Sequence, residues 1–382
     1  MKKEIIDTLP KDKLIIFLDL ASNSLNYISE LDLEVFIIDH HEIIQEIPKK
    51  INIINSELFE NHNISSSGLT YLFCKAINPE IKYLAKLAVL GMIGDCLEKN
   101  IDQLNHQILV DGEVIRKRGL LIYPSTRPLN RVLEFSSDPF IPGVTGDAKG
   151  VNELLREVGL NEGKCKSLIE LDENEMSKLV TAIFLKKPKS NYNDKIIGDI
   201  FLIKFFNKLE DAREISAMIN ACSRLGETET AMQLCLEIPK AKKRAEALYV
   251  KYKRFIISGL EFATKSEKIE GKGYVIINAK NEIKDTMIGT IASIISNSFI
   301  YEDGTIIVTM AYYKEKIKVS SRCSGKNGRN IREVLNEIVS RIGGEVGGHK
   351  NAAGCIIEKT KEDEFIDSLK KILEIEMIKI NS

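Results

Sequence analysis

The sequence predicts an α/β fold: a parallel sheet in the N-terminal part, a helical connector, and a smaller α/β unit at the C-terminus. Three observations carry this. Val35-Phe36-Ile37-Ile38-Asp39 is a short apolar, partly β-branched run that stops on an acid, the pattern of a fully buried strand. A similar run, 13–20, ends around Asp19, and the few residues between the two suffice for one short helix, so the pair forms a minimal βαβ crossover with parallel strands. After a long stretch of helical pattern, strand patterns return from residue 271 onward. At 382 residues the chain is long enough for two or three domains of about 100–200 residues each. The expected boundaries are 1–150, 151–268 and 269–382.

The elements follow in order. In 13–20, Leu14, Ile15, Ile16, Phe17 and Leu18 are apolar and Asp19 ends the run. Ser22 or Asn23 is suited to cap a short helix reaching Leu31. The strand 35–39 comes next, then a short strand at 52–55. Ile64-Ser65-Ser66-Ser67-Gly68 reads as a loop leading into a helix over 69–77. Residues 84–94 form a helix that is apolar on most sides, with Gly91 and Gly94 expected to let it lie close to the sheet. Residues 125–147 are irregular, punctuated by Pro128, Pro139, Pro142, Gly143 and Gly146. From 151 to 268 the pattern is helical, with an exposed loop at 186–194 and an αα-hairpin formed by 212–225 and 228–236 around Gly226. The third part opens at 271–278. It continues with a helix over 285–298, strands at 305–313 and 316–321, a helix over 330–342, a glycine-rich turn and a strand at 355–357.

Composition narrows the function classes. The net charge of -1 means that any nucleic-acid binding must come from a local patch. Seven cysteines without a closely spaced pair argue for a reducing compartment, and against a disulfide framework or a structural zinc site. The N-terminus has no signal-peptide core, and no apolar run approaches the roughly 20 residues of a membrane span. The expectation is a soluble cytoplasmic protein.

Three groups of residues could carry chemistry. The first is Asp19, Asp39, His40, His41 and Asp95, all at ends of buried elements. Ligands gather outside the carboxyl ends of parallel strands, and carboxylate with imidazole suits manganese, magnesium or zinc. Such an ion activates water against a phosphorus centre. The plainer alternative is a set of helix caps and turn acids. The second group is Gly343-Gly344-Glu345-Val346-Gly347-Gly348-His349-Lys350-Asn351-Ala352-Ala353-Gly354 together with the segment 320–329 that contains Arg322. Glycine backbone admits a phosphate closely, and arginine receives an oxyanion. The alternative is a glycine-rich hairpin beside a solvated turn. The third is Arg116-Lys117-Arg118 with Arg127 and Arg131, which would either track a nucleic-acid backbone or form a charged helix face.

The order Asp19, Asp39-His40-His41, Gly94-Asp95 and Gly347-Gly348-His349 followed by Ala352-Ala353-Gly354 resembles the DHH phosphoesterase family, and within it the archaeal RecJ-like proteins. Ser125-Thr126-Arg127-Pro128-Leu129, Ser137-Asp138-Pro139-Phe140-Ile141-Pro142-Gly143 and Ile219-Asn220-Ala221-Cys222-Ser223-Arg224-Leu225-Gly226 add to the likeness, which runs nearly end to end. The resemblance implies a DHH domain, a helical connector and a C-terminal DHH-associated domain facing the first across a cleft. It implies a manganese- or magnesium-dependent phosphodiesterase that trims single-stranded DNA or RNA. On this reading Asp19, His40 and Asp95 are metal ligands, His41 faces the scissile phosphate, and Asp39 orients the histidines. Arg322, Gly347, Gly348, His349 and Asn351 hold the substrate.

Two departures accompany the resemblance. The family carries an Asp-x-Asp-Gly strand before the position of Asp19, whereas the eighteen residues preceding Asp19 contain Asp7 and Asp12 but no Asp-x-Asp. This implies one metal site in place of two, and weak or absent activity. Within the glycine-histidine motif stand Lys350-Asn351, where archaeal relatives often carry an acid and an apolar residue. The second function implied by the resemblance is therefore an inactive nucleic-acid-binding scaffold of the archaeal replication machinery, associated with the GINS complex.

Overall fold

The computed structural model of the protein describes residues 3–380, apart from 11, 32, 60–62, 137–140, 142, 162–164, 187–195, 298–299 and 326. The chain divides into two compact units, Met1–Asn220 with Ala231–Lys242, and Ala221–Thr230 with Lys243–Ser382. The fold is mixed α/β, with one parallel and two further sheets. No helix among the described residues is long and apolar enough to cross a membrane.

The first unit opens with α1 (Lys3–Ile6), β1 (Ile15–Leu18), α2 (Leu25–Ser29), β2 (Val35–Asp39) and β3 (Ile51–Asn55). The three strands form a parallel sheet in the order β1-β2-β3, in which Leu18 pairs with Ile38 and Asp39 with Asn55. The continuous apolar run of β2 is explained by burial on both faces: Val35, Ile37 and Ile38 are all buried. Phe17 of β1, Leu25 and Ile28 of α2, and Ile6 of α1 complete this core. β1 is an edge strand, and its Ile16 and Leu18 are exposed.

Next come α3 (Ser66–Ile77), α4 (Ala85–Gly94) and α5 (Gln103–Asp111). Ser65 caps α3, its Oγ accepting from Gly68 N at 3.2 Å. α4 is apolar nearly all round because it is buried nearly all round. Its glycines do not serve the expected approach to the sheet. A Cβ on Gly91 would lie 1.8 Å from Ser67 Oγ of α3, so what this glycine permits is close packing of two helices, whereas one on Gly94 would make ordinary contact, 3.5 Å from Ser216 Oγ.

The first unit continues with β4 (Ile115–Leu120), α6 (Leu129–Glu134), α7 (Ala148–Glu157), α8 (Glu173–Lys186), β5 (Ile197–Phe205) and β6 (Lys208–Asp211), and the division between the units passes through the next three helices, α9 (Ala212–Arg224), α10 (Thr228–Cys235) and α11 (Pro239–Lys265), the last of which belongs to the second unit from Lys243 onward. The helical reading of 151–268 is corrected here: β5 and β6 form an antiparallel sheet with β4. β5 is almost continuously apolar, with Ile200, Phe201, Leu202, Ile203 and Phe205 buried, so it is a central strand inside a stretch otherwise patterned as helix. The two helices expected on either side of Gly226 are present as α9 and α10. The loop expected at 186–194 falls, beyond Lys186, outside the described residues, as do 137–140 and 142 of the proline-rich segment.

The second unit holds the remaining elements: β7 (Ile269–Gly271), β8 (Tyr274–Asn278), α12 (Ile288–Asn297), β9 (Ile306–Tyr313), β10 (Lys316–Cys323), α13 (Ile331–Ile342), β11 (Glu345–His349), β12 (Ala352–Glu358) and α14 (Glu362–Ile380). Its sheet has the order β11-β12-β10-β9-β8-β7, with only β8–β9 parallel. Val319, Ala353, Cys355 and Ile357 on one face meet Val334, Leu335 and Ile338 of α13 and Phe365 and Leu369 of α14. α12 packs against β9 and β10. The expected glycine-rich turn is an edge strand, β11, held in register by β12.

Candidate metal centre and candidate phosphate-binding sheet face

Two constellations emerge, one in each unit. The first lies at the carboxyl ends of β1 and β2. Asp19 follows β1, and its N–H donates to Ile38 O at 2.9 Å, so the sheet bond continues up to this acid. Its φ of 63° is left-handed, which turns the chain sharply away from the strand. His40 stands between two carboxylates, Nε2 at 3.5 Å from Asp19 Oδ1 and Nδ1 at 3.9 Å from Asp95 Oδ2. Ligand atoms of Asp19, His40 and His41 all lie within 4.8 Å of one another. Asp95, the C-cap of α4, flanks that cluster on the far nitrogen of His40. Burial raises the pKa of the Asp95 carboxyl; the charge of His40 opposes this and that of Asp19 adds to it.

Asp39 is buried, and it organises the loop. Its Oδ1 accepts from His40 N at 2.8 Å and from His41 N at 3.3 Å, and lies 2.6 Å from His41 Nδ1. Its Oδ2 accepts from Ser22 N at 3.2 Å. Burial pushes this carboxyl up, but the bonds from His41, Ser22 and the His40 amide outweigh burial and leave it below its ordinary value. A carboxylate on Nδ1 fixes the His41 ring and leaves Nε2 as the outward nitrogen. Carboxylate and imidazole donors at these separations fit a divalent ion of the manganese or magnesium class.

The sequence reading missed Asn55 and Ser22. Asn55 is fully buried, and its Nδ2 donates to His41 O at 2.9 Å and to Ser22 Oγ at 3.0 Å. It ties the histidine loop to the turn after β1. Its register opposite Asp39 at the carboxyl end of the third parallel strand was the available signal.

The second constellation lies on one face of the second unit's sheet. Arg322, Ala352 and His349 are directly opposed across β10, β12 and β11, and so are Ser320, Gly354 and Gly347. Opposed residues share a face, so Arg322 and His349 flank a floor of alanine and glycine. A Cβ on Gly347 would meet nothing within 4 Å, whereas one on Gly348, at φ 115°, would lie 2.4 Å from Ala352 O. Arg322 is clamped: Nε donates to Ser293 Oγ at 2.9 Å, and Nη1 donates to Ser321 O at 2.8 Å and Ser320 Oγ at 3.2 Å. Burial, and then the like charge of Arg224, pull its pKa below the ordinary value. Asn351 is exposed, and its carbonyl accepts from Cys323 N at 3.0 Å, which joins the β11–β12 turn to the end of β10.

The third group does not form a helix face: Arg116-Lys117-Arg118 lies on β4, where all three are exposed. Four cations of the group are engaged. Arg116 pairs with Asp199, Arg127 with Glu214 at 3.3 Å and Arg131 with Glu134 at 3.5 Å, while Lys117 Nζ donates to Ile169 O at 3.0 Å.

Residues 122–200 match the DHH-CID domain model and residues 271–375 the DHHA1 domain model. The chain carries two domains of the DHH type. Over 397 aligned residues it is 28% identical to an uncharacterized protein of Methanocaldococcus jannaschii, covering 98% of this chain and 84% of that protein. Its fold is RecJ-like. It superposes on CDC45 from Entamoeba histolytica with a TM-score of 0.65 at 11% identity, covering 97% of this chain and 86% of that one. An exonuclease RecJ bound to manganese gives 0.56 at 16% identity, covering 97% and 78%. RecJ in complex with Mn2+ from Thermus thermophilus gives 0.55 at 17% identity over 94% of this chain, which spans only 44% of the length of that RecJ.

Proposed function

We propose that this chain is a DHH-family divalent-metal phosphodiesterase acting on single-stranded nucleic acid, DNA or RNA, with manganese or magnesium as the ion. The observation that carries the reading is the cluster of Asp19, His40 and His41 within 4.8 Å at the carboxyl ends of two parallel strands. Asp19 and His40 would hold the ion, with Asp95 completing the set beyond His40. The ion, when bound, supplies the Lewis acidity that activates water and neutralises phosphate charge. Asp39 keeps the His41 ring oriented, so that its outward nitrogen faces a phosphate oxygen and donates to it when the ring carries both protons. Arg322, His349, Asn351 and the backbone of Gly347 and Gly348 would grip a phosphate of the strand. The RecJ proteins of like fold were solved with manganese, which supports the class of ion.

A second reading, a strand-binding scaffold of the replication fork associated with the GINS complex, draws support from the same cluster. Three donor residues, with Asp95 beside them, are few for a two-ion site. One assay decides. A labelled single strand is incubated with the wild-type chain and with His41→Ala in manganese. The hydrolytic reading expects digestion that falls at least a hundredfold in the variant, on the order of an oxyanion donor's contribution, with dissociation constants within a factor of three of each other. No digestion by the wild-type chain, together with co-purification of GINS subunits, supports the scaffold. Digestion undiminished in His41→Ala refutes the assigned site.

A further inference from the structure

We propose that the outer face of α11 in the second unit is a track for the phosphate backbone of single-stranded nucleic acid. Lys243, Lys251 and Arg254 lie on it. α11 falls between the two segments that match family models, and none of the substrate-binding residues named above lies on it. The proposal rests on the reading that the substrate is a nucleic-acid strand.

The helix is fixed on its inner side. Ala245, Tyr249, Tyr252 and Gly259 are buried there. Tyr252 OH lies 3.1 Å from Thr290 Oγ1 of α12, and a Cβ on Gly259 would be 2.3 Å from Ile291 Cδ1, so a larger residue at 259 would have to displace that isoleucine end. The opposite face is thereby committed outward. At 100° per residue, Lys243, Ala247, Lys251, Arg254 and Ser258 fall within a sector of about 80°, and the cations extend over about 16 Å. All five are exposed. Lys243, Lys251 and Arg254 have no ion-pair partner among the described residues, in contrast to Arg116 of β4 and Arg131 of α6. Arg244 at the edge of the sector is paired with Glu227, and Glu246 on the other flank is half-buried and has partners of its own. The next acid on the face, Glu261, comes nearly two turns after Arg254.

A second observation concerns Phe255. Lys284 Nζ lies 4.3 Å and Lys251 Nζ 6.0 Å from the centroid of this one half-buried ring. Two ammonium groups are thus gathered at one aromatic side chain, and neither has a carboxylate in an ion pair among the described residues. On a chain of net charge -1, a row of unneutralised cations with an aromatic beside it is a local departure from balance. Its complement is a regularly spaced polyanion with π-faces. An acidic protein would match the charge but not the half-buried ring held beside the cations, which suits a strand with π-faces of its own.

The test is fluorescence anisotropy of a labelled oligodeoxythymidine of about twenty residues, in EDTA, between about 50 and 200 mM salt. In the triple variant Lys243→Ala, Lys251→Ala, Arg254→Ala the slope of log affinity against log salt should flatten by about 2, from about 0.7 per lost phosphate contact. Affinity at low salt should drop tenfold or more. The charge-preserving set Lys243→Arg, Lys251→Arg, Arg254→Lys should keep the wild-type slope. If the triple variant does not fold, the single variant Arg254→Ala should flatten the slope by about 0.7. An unchanged slope overturns the proposal. Equal loss in the charge-preserving set, or a wild-type chain that ignores the strand and binds polyglutamate, also overturns it. EDTA removes hydrolysis from the measurement. Failure of the metal-site reading therefore shows as digestion insensitive to His41→Ala, and failure of the track as a slope insensitive to α11.

Discussion

Asn55 makes the histidine loop depend on a residue that touches neither candidate ligand nor phosphate. Its amide closes a circuit from His41 O to Ser22 Oγ, while the Ser22 amide returns to Asp39 Oδ2. Removing that amide leaves the half-buried His41 carbonyl and the buried Ser22 hydroxyl without their donor, a loss of about 1–3 kcal/mol. Asn55→Ala is expected to lower the thermal midpoint and to broaden the His41 ring resonances followed by NMR, because the ring's seat on Asp39 loosens. A variant with a lower midpoint and unaltered ring resonances would assign Asn55 to packing alone. The acids and histidines of this loop were legible in the sequence because each stops an apolar run. Asn55 also stops one, but an amide at a strand end reads as an ordinary turn residue, and its partner is distant in sequence. On the other sheet Arg322 was legible from its Ser and Gly neighbours, whereas Ser293, which seats it, stands in a helix where a serine reads as an ordinary surface residue.

Among elements, those whose burial is uniform were readable and those whose burial is set by a partner were not. β2 is covered on both faces and says so in its run of apolar residues. β4 hides its character, since Ile115, Arg116, Lys117 and Arg118 are exposed and only Gly119 and Leu120 are buried. β11 is a strand only because β12 pairs with it; its glycines carry no strand preference of their own. β5 was readable, a nearly unbroken apolar run with Ile and Phe, and the helical periodicity on both sides of it obscured the signal.

The α3–α5 contact gives a pH test at this scale. The buried Asp111 carboxylate accepts from Tyr71 OH at 3.0 Å and pairs with Lys75. Burial alone would raise this carboxyl, but Lys75 and Tyr71 outweigh it and the pKa is depressed. A depressed carboxylate pKa contributes stability that is present above the unfolded value, near 3.9, and is lost as pH falls through the folded value. The wild-type chain should therefore lose stability on acidification below about pH 4 more steeply than Asp111→Asn, which should be less stable at neutral pH by about 1–3 kcal/mol. Thermal midpoints taken from neutral to acid pH check this; parallel curves for the two proteins would remove Asp111 from the account.

For the whole molecule, the metal centre is confined to the first unit and the sheet face with Arg322 to the second. An ion bound by the folded chain stabilises it by RT ln(1 + [L]/Kd), about 2.7 kcal/mol at a hundredfold excess over Kd. Titration calorimetry is expected to show a single manganese ion, with a midpoint shift that EDTA reverses and Asp19→Ala abolishes. Two equal sites, or a shift that survives Asp19→Ala, would contradict the donor set described for the centre. The backbone at Asp19 bears on descent as well. Its left-handed φ of 63°, with Ala21 at 94° close behind, is the conformation glycine adopts most freely. Any mutation to glycine there relaxes the chain while deleting the carboxylate, so selection for folding alone pulls this position away from acid. A lineage that ceased to use the centre would drift downhill to its loss, and every Asp19 that persists is held there against that slope.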